Sequence, residues 1–172
     1  MDIPDALSPP RAGETVAALY AEHCLGLVRL AVIMTGDQAS AEDIVQDAFL
    51  GLYRRWDHLT DTSFPLAYVR ASVLNGCRSA LRRQSRWRAA PAAADPPGES
   101  AEARALLSEE QRAIARAIRR LPKRQREALV LRYYLDLSEE EIARTMGISR
   151  GTVKSATSRA LASVGRLLKE GS

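Results

Sequence analysis

Between Ala89 and Arg104 the chain carries no large apolar side chain. The run Ala89-Ala-Pro-Ala-Ala-Ala-Asp-Pro-Pro-Gly-Glu-Ser has nothing to bury in a core, and its prolines lack the N–H that helices and sheets use. It reads as a linker over 89–104. That break divides 172 residues into two units, each at the small end of the size range for independent domains. Residues 1–13, with Pro4, Pro9, Pro10 and Gly13, read as a flexible tail. Two small cores must therefore be built, over 14–88 and 105–170.

On both sides of the break the apolar spacing is helical. Val16, Leu19, Tyr20, Cys24, Leu27, Val28 and Ala31 recur at steps of three and four, and Gly36 supplies a stop. Ser40 with Asp43 looks like a capping box, opening a second helix whose apolar face is Ile44, Val45, Ala48, Phe49, Leu52, Tyr53 and Trp56. Polar residues 57–63 form a loop. Pro65 suits the first turn of a third helix, from Leu66 to about Trp87, with Gly76 as the candidate for a break. Beyond the linker, Leu106, Leu107, Ile114, Ala117, Ile118 and Leu121 mark another helix, and Pro122 restarts the chain into one bearing Leu129, Leu131 and Leu135. Strand-like alternation of useful length is missing. The fold class is all-α, as two small helical domains joined by a flexible linker.

Charge is unevenly spread. Residues 105–172 hold 14 Lys/Arg against 8 Asp/Glu, whereas residues 14–88 hold 9 against 8. The C-terminal unit is the basic one, which permits a nucleic-acid partner. Cys24 and Cys77 come without a CxxC or Cys/His cluster, so no metal site and no cofactor are expected, and a buried reduced thiol is the plain reading. No stretch approaches the roughly 20 apolar residues of a membrane span, and the acidic, Pro-containing start is unlike a signal peptide. A cytoplasmic protein without a membrane partner is expected.

The strongest local pattern is Leu137-Ser-Glu-Glu-Glu-Ile-Ala-Arg-Thr-Met-Gly-Ile-Ser-Arg-Gly-Thr-Val-Lys. Ser138 can cap a short helix with Glu141 at its third position; Ile142, Ala143 and Met146 face inward; Gly147 allows the turn and Ile148 plugs the corner. Ser149 caps the next helix, and Val153 packs back. This is a helix-turn-helix pattern. Its second helix, from Ser149 to about Leu161, offers Arg150, Thr152, Lys154, Ser155, Ser158 and Arg159, donors suited to guanine edges and phosphates.

The N-terminal unit carries a resemblance. Thr35-Gly-Asp-Gln-Ala-Ser-Ala-Glu-Asp-Ile-Val-Gln-Asp-Ala-Phe-Leu-Gly-Leu-Tyr-Arg-Arg-Trp resembles region 2 of bacterial sigma factors, where this helix docks on the clamp helices of core RNA polymerase. The resemblance implies Asp43, Gln46 and Asp47 as core-binding residues. Phe64-Pro-Leu-Ala-Tyr-Val-Arg-Ala-Ser-Val-Leu-Asn-Gly-Cys-Arg-Ser-Ala-Leu-Arg-Arg looks like the family's −10 segment. Asn75 stands where the family has an Asn near the DNA. Arg78, Arg82 and Arg86 recur every four residues and so share a helix face that can track phosphates, with Arg83 and Arg88 flanking it. Loop 57–63 matches the family's base-capturing loop in position. Leu121-Pro-Lys-Arg-Gln-Arg-Glu-Ala-Leu-Val-Leu-Arg-Tyr-Tyr and Gly151-Thr-Val-Lys-Ser are similar to region 4, which reads the −35 element and touches the polymerase flap. Many members have Arg where Ala156 stands, so one positive contact is expected to be missing. The absence of intermediate regions places the resemblance with the extracytoplasmic-function group. Members are commonly held inactive by an anti-sigma protein. The linker, about 16 residues, could extend on the order of 50 Å and lets the two lobes span a promoter.

Two other classes compete. A helix-turn-helix regulator acting without replacing sigma would need a receiver or ligand domain, and residues 14–88 lack the alternating strands for one. An enzyme would need a nucleophile or phosphate motif; the only histidines, His23 and His58, stand without either.

Overall fold

The computed structural model describes residues 12–58, 64–89 and 109–170. Among these residues there are seven α-helices and no strand. Helices α1 (Ala12–Thr35), α2 (Gln38–Arg55) and α3 (Pro65–Ala89) form the N-terminal lobe, with a 3₁₀ turn at Trp56–His58. Helices α4 (Glu109–Arg120), α5 (Lys123–Tyr133), α6 (Glu139–Met146) and α7 (Arg150–Glu170) form the C-terminal lobe. Leu106, Leu107 and the linker beyond Ala89 lie outside the described residues, as does most of the 57–63 loop.

Local chemistry sets the element ends. Gly36 takes φ +79°, open to a residue without Cβ, and its N–H closes α1 on the Val32 carbonyl at 2.7 Å. Asp37 follows in extended conformation, and its carboxylate accepts from the Ser40 N–H at 2.9 Å. The short acidic side chain beside the turn thus caps α2. The capping box expected on Ser40 and Asp43 does not form, because the helix already starts at Gln38 and both residues lie inside it. Likewise α1 starts at Ala12, inside the stretch read as a tail. Pro65 does open α3, where its missing N–H has no intrahelical role.

Gly76 does not break α3, which runs unbroken to Ala89. Its role is close approach: a Cβ there would stand 2.6 Å from Ile44 Cγ2, so glycine lets α2 lie against α3. Around this crossing, Leu27, Leu30 and Met34 of α1, Val45, Phe49 and Leu52 of α2, and Val69, Val73 and Leu74 of α3 are buried together. Each such side chain is worth roughly 1.5–3 kcal/mol in burial. The stretch Thr15–Thr35 is, against expectation, long and apolar enough to cross a membrane by length and composition, with mean hydropathy 1.6. Its leucines and valines, with Ile33 and Met34, raise that mean. In the structure its Leu27–Met34 face lines the bundle, and Glu22 and Arg29 sit along it.

The C-terminal lobe is assembled on α7, against which α4, α5 and α6 all pack. Leu121, Leu129, Leu131, Leu137, Ile142, Met146, Val153, Ala156 and Ala160 are buried. Ile114, expected on the inner face of α4, is exposed. The two lobes pack against each other. Helix α1 meets α4 and α5, and α3 meets α6, so one buried apolar cluster runs through both.

Candidate nucleic-acid interface

The helix-turn-helix forms as the spacing predicts. Ser138 Oγ accepts from the Glu141 N–H at 3.2 Å, and the Glu141 carboxylate accepts from the Ser138 N–H at 2.9 Å. The Ser138 N–H first, and then the Ser138 hydroxyl that donates to the same carboxylate at 2.9 Å, hold the Glu141 carboxyl below its usual range. Gly147 is left-handed at φ +65°, and the Ile148 N–H closes on the Ala143 carbonyl at 3.1 Å. Ile148 is half-buried in the corner. Ser149 Oγ accepts from the Thr152 N–H at 3.2 Å and caps α7, while Val153 is fully buried beneath.

These constraints aim one face of α7 outward. Arg150, Lys154, Ser158 and Arg159 are exposed; Arg150, Lys154 and Ser158 stand four residues apart, on one stripe. Thr152 and Ser155 belong to the same region, but their hydroxyls are engaged locally. Thr152 bonds Ser149 at 2.8 Å, and Ser155 donates to the Gly151 carbonyl at 3.0 Å. Helix α7 extends past Leu161 to Glu170. Ala156 is buried, so the departure at this position lies off the exposed face and not within it, contrary to the expected loss of a surface cation.

On α3 the expected arginine stripe divides. Arg82, Arg83 and Arg86 are exposed, with Arg82 donating to Ser79 Oγ at 2.9 Å. Arg88 has no described side-chain surroundings. Arg78 is committed elsewhere. Its Nε and NH2 donate to the two carboxylate oxygens of Glu127, on α5, at 2.7 and 2.6 Å. Its NH1 donates to Asn75 Oδ1 at 3.0 Å. The Glu127 bonds hold the guanidinium above its usual range. Glu127 is 0% exposed, against 21% for the Arg78 side chain.

Asp43, Gln46 and Asp47 are all exposed on α2, at i, i+3 and i+4, and so share a face. Gln46 borders an apolar groove with Val16, Tyr20, Phe49, Leu50 and Tyr53. Tyr20 meets the Phe49 ring edge-on at 5.0 Å. Tyr20, Leu50 and Tyr53 are exposed, whereas helical spacing alone puts Tyr20 and Tyr53 on inner faces.

Several groups at the lobe boundary do not stand out in the sequence. Arg70 of α3 lies 3.8 Å from Glu141 of the capping box, the Arg144 guanidinium stands 5.7 Å over the Phe64 ring, and Arg126 donates to the Met34 carbonyl at 3.3 Å. Burial lowers both Arg70 and Arg126, with Glu141 and Glu127 opposing it. One signal does point to them: Glu127 sits four residues before Leu131 in an apolar helical run, where a charge needs a partner. Cys77 is buried and its thiol is pushed up to about 12, by burial first and then by Glu127; such a thiol is unreactive. Cys24 is half-buried, and both cysteines are free.

Comparison with known proteins covers both lobes. The family model for sigma-70 region 2 matches residues 19–87, and that for sigma-70 region 4 matches residues 111–164. An RNA polymerase sigma-E factor of Streptomyces antibioticus is 34% identical over 140 residues, covering 79% of this chain and 74% of the relative. The ECF RNA polymerase sigma factor SigL of Mycobacterium tuberculosis is 33% identical over 162 residues, covering 89% and 88%. Among solved structures, the sigma factor RpoE of Bartonella quintana, bound to the anti-sigma factor NepR, superimposes with TM-score 0.67 at 25% identity, over 88% of this chain and 97% of that one. CnrH in complex with the cytosolic domain of CnrY shares the fold, with TM-score 0.70 at 23% identity over 93% and 91%.

Proposed function

The chain belongs to the sigma-70 family, in its extracytoplasmic-function group, as an RNA polymerase sigma factor directing transcription initiation, and from that premise we propose how its lobes divide the work. The N-terminal lobe, residues 14–88, binds core polymerase through Asp43, Gln46 and Asp47 and engages the −10 element through Asn75, Arg78, Arg82, Arg83 and Arg86. The C-terminal lobe, residues 105–170, reads the −35 element with Arg150, Thr152, Lys154, Ser155, Ser158 and Arg159 and meets the polymerase flap. Residues 89–104 join the two.

The observation that carries this division is one chain pairing an exposed acidic face on α2 with an exposed cationic recognition helix. A helix-turn-helix regulator needs only the second. Recognition-helix cations position the lobe on phosphates and bases, and the N-terminus of α7 adds a positive end to that face. The solved sigma factor RpoE, bound to the anti-sigma factor NepR, points to an anti-sigma factor as a further partner. The chain acts in the cytoplasm, on the nucleoid when bound to polymerase, and carries out no catalytic step of its own.

The test is binding to purified core polymerase and to a −35 duplex. Asp43→Lys with Asp47→Lys reverses the α2 charge and should abolish core binding while far-ultraviolet circular dichroism stays helical. Lys154→Ala with Arg159→Ala should leave core binding intact and flatten the dependence of log K on log salt by about 0.9 for each phosphate no longer neutralised. Unchanged core affinity in the first variant would overturn the docking assignment.

A further inference from the structure

The boundary between the lobes uses a residue that the −10 element needs. A bidentate guanidinium–carboxylate pair is the geometry by which arginine also grips phosphate. Arg78 makes that pair with Glu127, which reaches it from the other lobe. Asn75, the neighbouring −10 residue, is tied to the same guanidinium. Arg82, Arg83 and Arg86, further along α3, remain exposed. One end of the DNA-facing surface is thus covered while the rest is open.

Resting on the −10 assignment above, we propose that Glu127 is an internal phosphate mimic, which holds the free chain closed by occupying Arg78 and yields it to the −10 DNA backbone when the lobes part. The pairing is built for release. Arg78 is partly open to solvent, and Glu127 has no need of its partner once separation exposes it to water. Around the pair, Arg126 donates to the Met34 carbonyl and Arg70 approaches Glu141. These interactions also cross the boundary, so closure is a cooperative set and not a single bond. Because the same guanidinium serves both partners, DNA and closure must oppose one another, and the coupling is reciprocal.

The experiment uses the full chain, a fluorescein-labelled oligothymidylate strand, and small-angle scattering for the radius of gyration. Glu127→Gln should enlarge the radius of gyration and tighten strand binding, by on the order of 10-fold if the open form is about a tenth of the free population. It should also steepen the salt dependence by about 0.7, the value of one more neutralised single-strand phosphate. In an Arg78→Ala background the same change should gain no affinity. Strand binding to the unmodified chain should itself enlarge the radius of gyration, a readout that needs no variant to fold. Binding with the lobes still closed overturns the proposal. So does a Glu127→Gln gain that survives in the Arg78→Ala background. Promoter-directed transcript yield of the reconstituted holoenzyme, measured in parallel, reports on the −10 assignment separately. Normal wild-type transcription with no opening on strand binding sinks the latch alone.

Discussion

The two lobes reach stability by different means. The N-terminal lobe is made of three helices of 24, 18 and 25 residues that bury large aliphatic side chains along their crossings, among them Leu30, Met34, Leu52 and Leu74. The C-terminal lobe has helices of 12, 11, 8 and 21 residues and a core in which Ala115, Ala117, Ala128, Ala156 and Ala160 take many places. Helices that short are marginal alone. They are held by the Ser138–Glu141 box, the left-handed Gly147 and the Ser149 cap, and by lying against α1 and α3. The N-terminal lobe is thus held mainly by large side chains along its crossings, and the C-terminal lobe by packing on α7 together with caps at the ends of its short helices.

Perturbing each lobe by its own device tests that contrast. Leu52→Ala removes a fully buried side chain and should cost about 2–5 kcal/mol in denaturant unfolding; a cost no larger than that of removing a cap would erase the distinction. Gly76→Ala places a methyl against Ile44 and should cost about 1–3 kcal/mol as overpacking. A neutral result would mean that α2 and α3 can move apart freely. Ser138→Ala in the other lobe removes the cap acceptor and should cost about 1 kcal/mol, with hydrogen-exchange protection falling first in α6. The smallest effect is acid sensitivity. The Glu141 carboxyl lies below its usual range because of Ser138, so its stabilising contribution is present above its unfolded pKa and is lost as pH falls through the lower folded value. Its surface position keeps that loss small. Ser138→Ala, which keeps the backbone N–H donor, should reduce it, and Glu141→Gln should remove it, which an acid titration of α6 exchange rates would show.

The same contrast governs how much of the structure is legible in the sequence. The C-terminal lobe's signals are local. A serine three residues before a glutamate and a glycine at the turn specify caps whose partners are close in sequence, and the structure forms them as expected. The N-terminal helices are also legible from spacing, but two details are not. Asp37 displaces the expected cap because its carboxylate is already in place beside the Gly36 turn, and Gly76 proves to be a helix crossing because Ile44 approaches there. The lobe boundary is the least legible part. Arg78 and Glu127 lie 49 residues apart, and helical periodicity shows only that Arg78 faces outward with Arg82 and Arg86, not what comes to meet it. The donors expected on α7 do lie at its surface, except that Thr152 and Ser155 turn their hydroxyls to their own helix.

Run-off transcription by cognate core polymerase tests the central claim most directly. Core alone should give no promoter-specific transcript. Adding this chain should give one from templates carrying its −10 and −35 elements, and the Asp43→Lys, Asp47→Lys chain should give none. A transcript that does not depend on the chain, or a purified and folded chain that yields none with cognate core, would contradict the account.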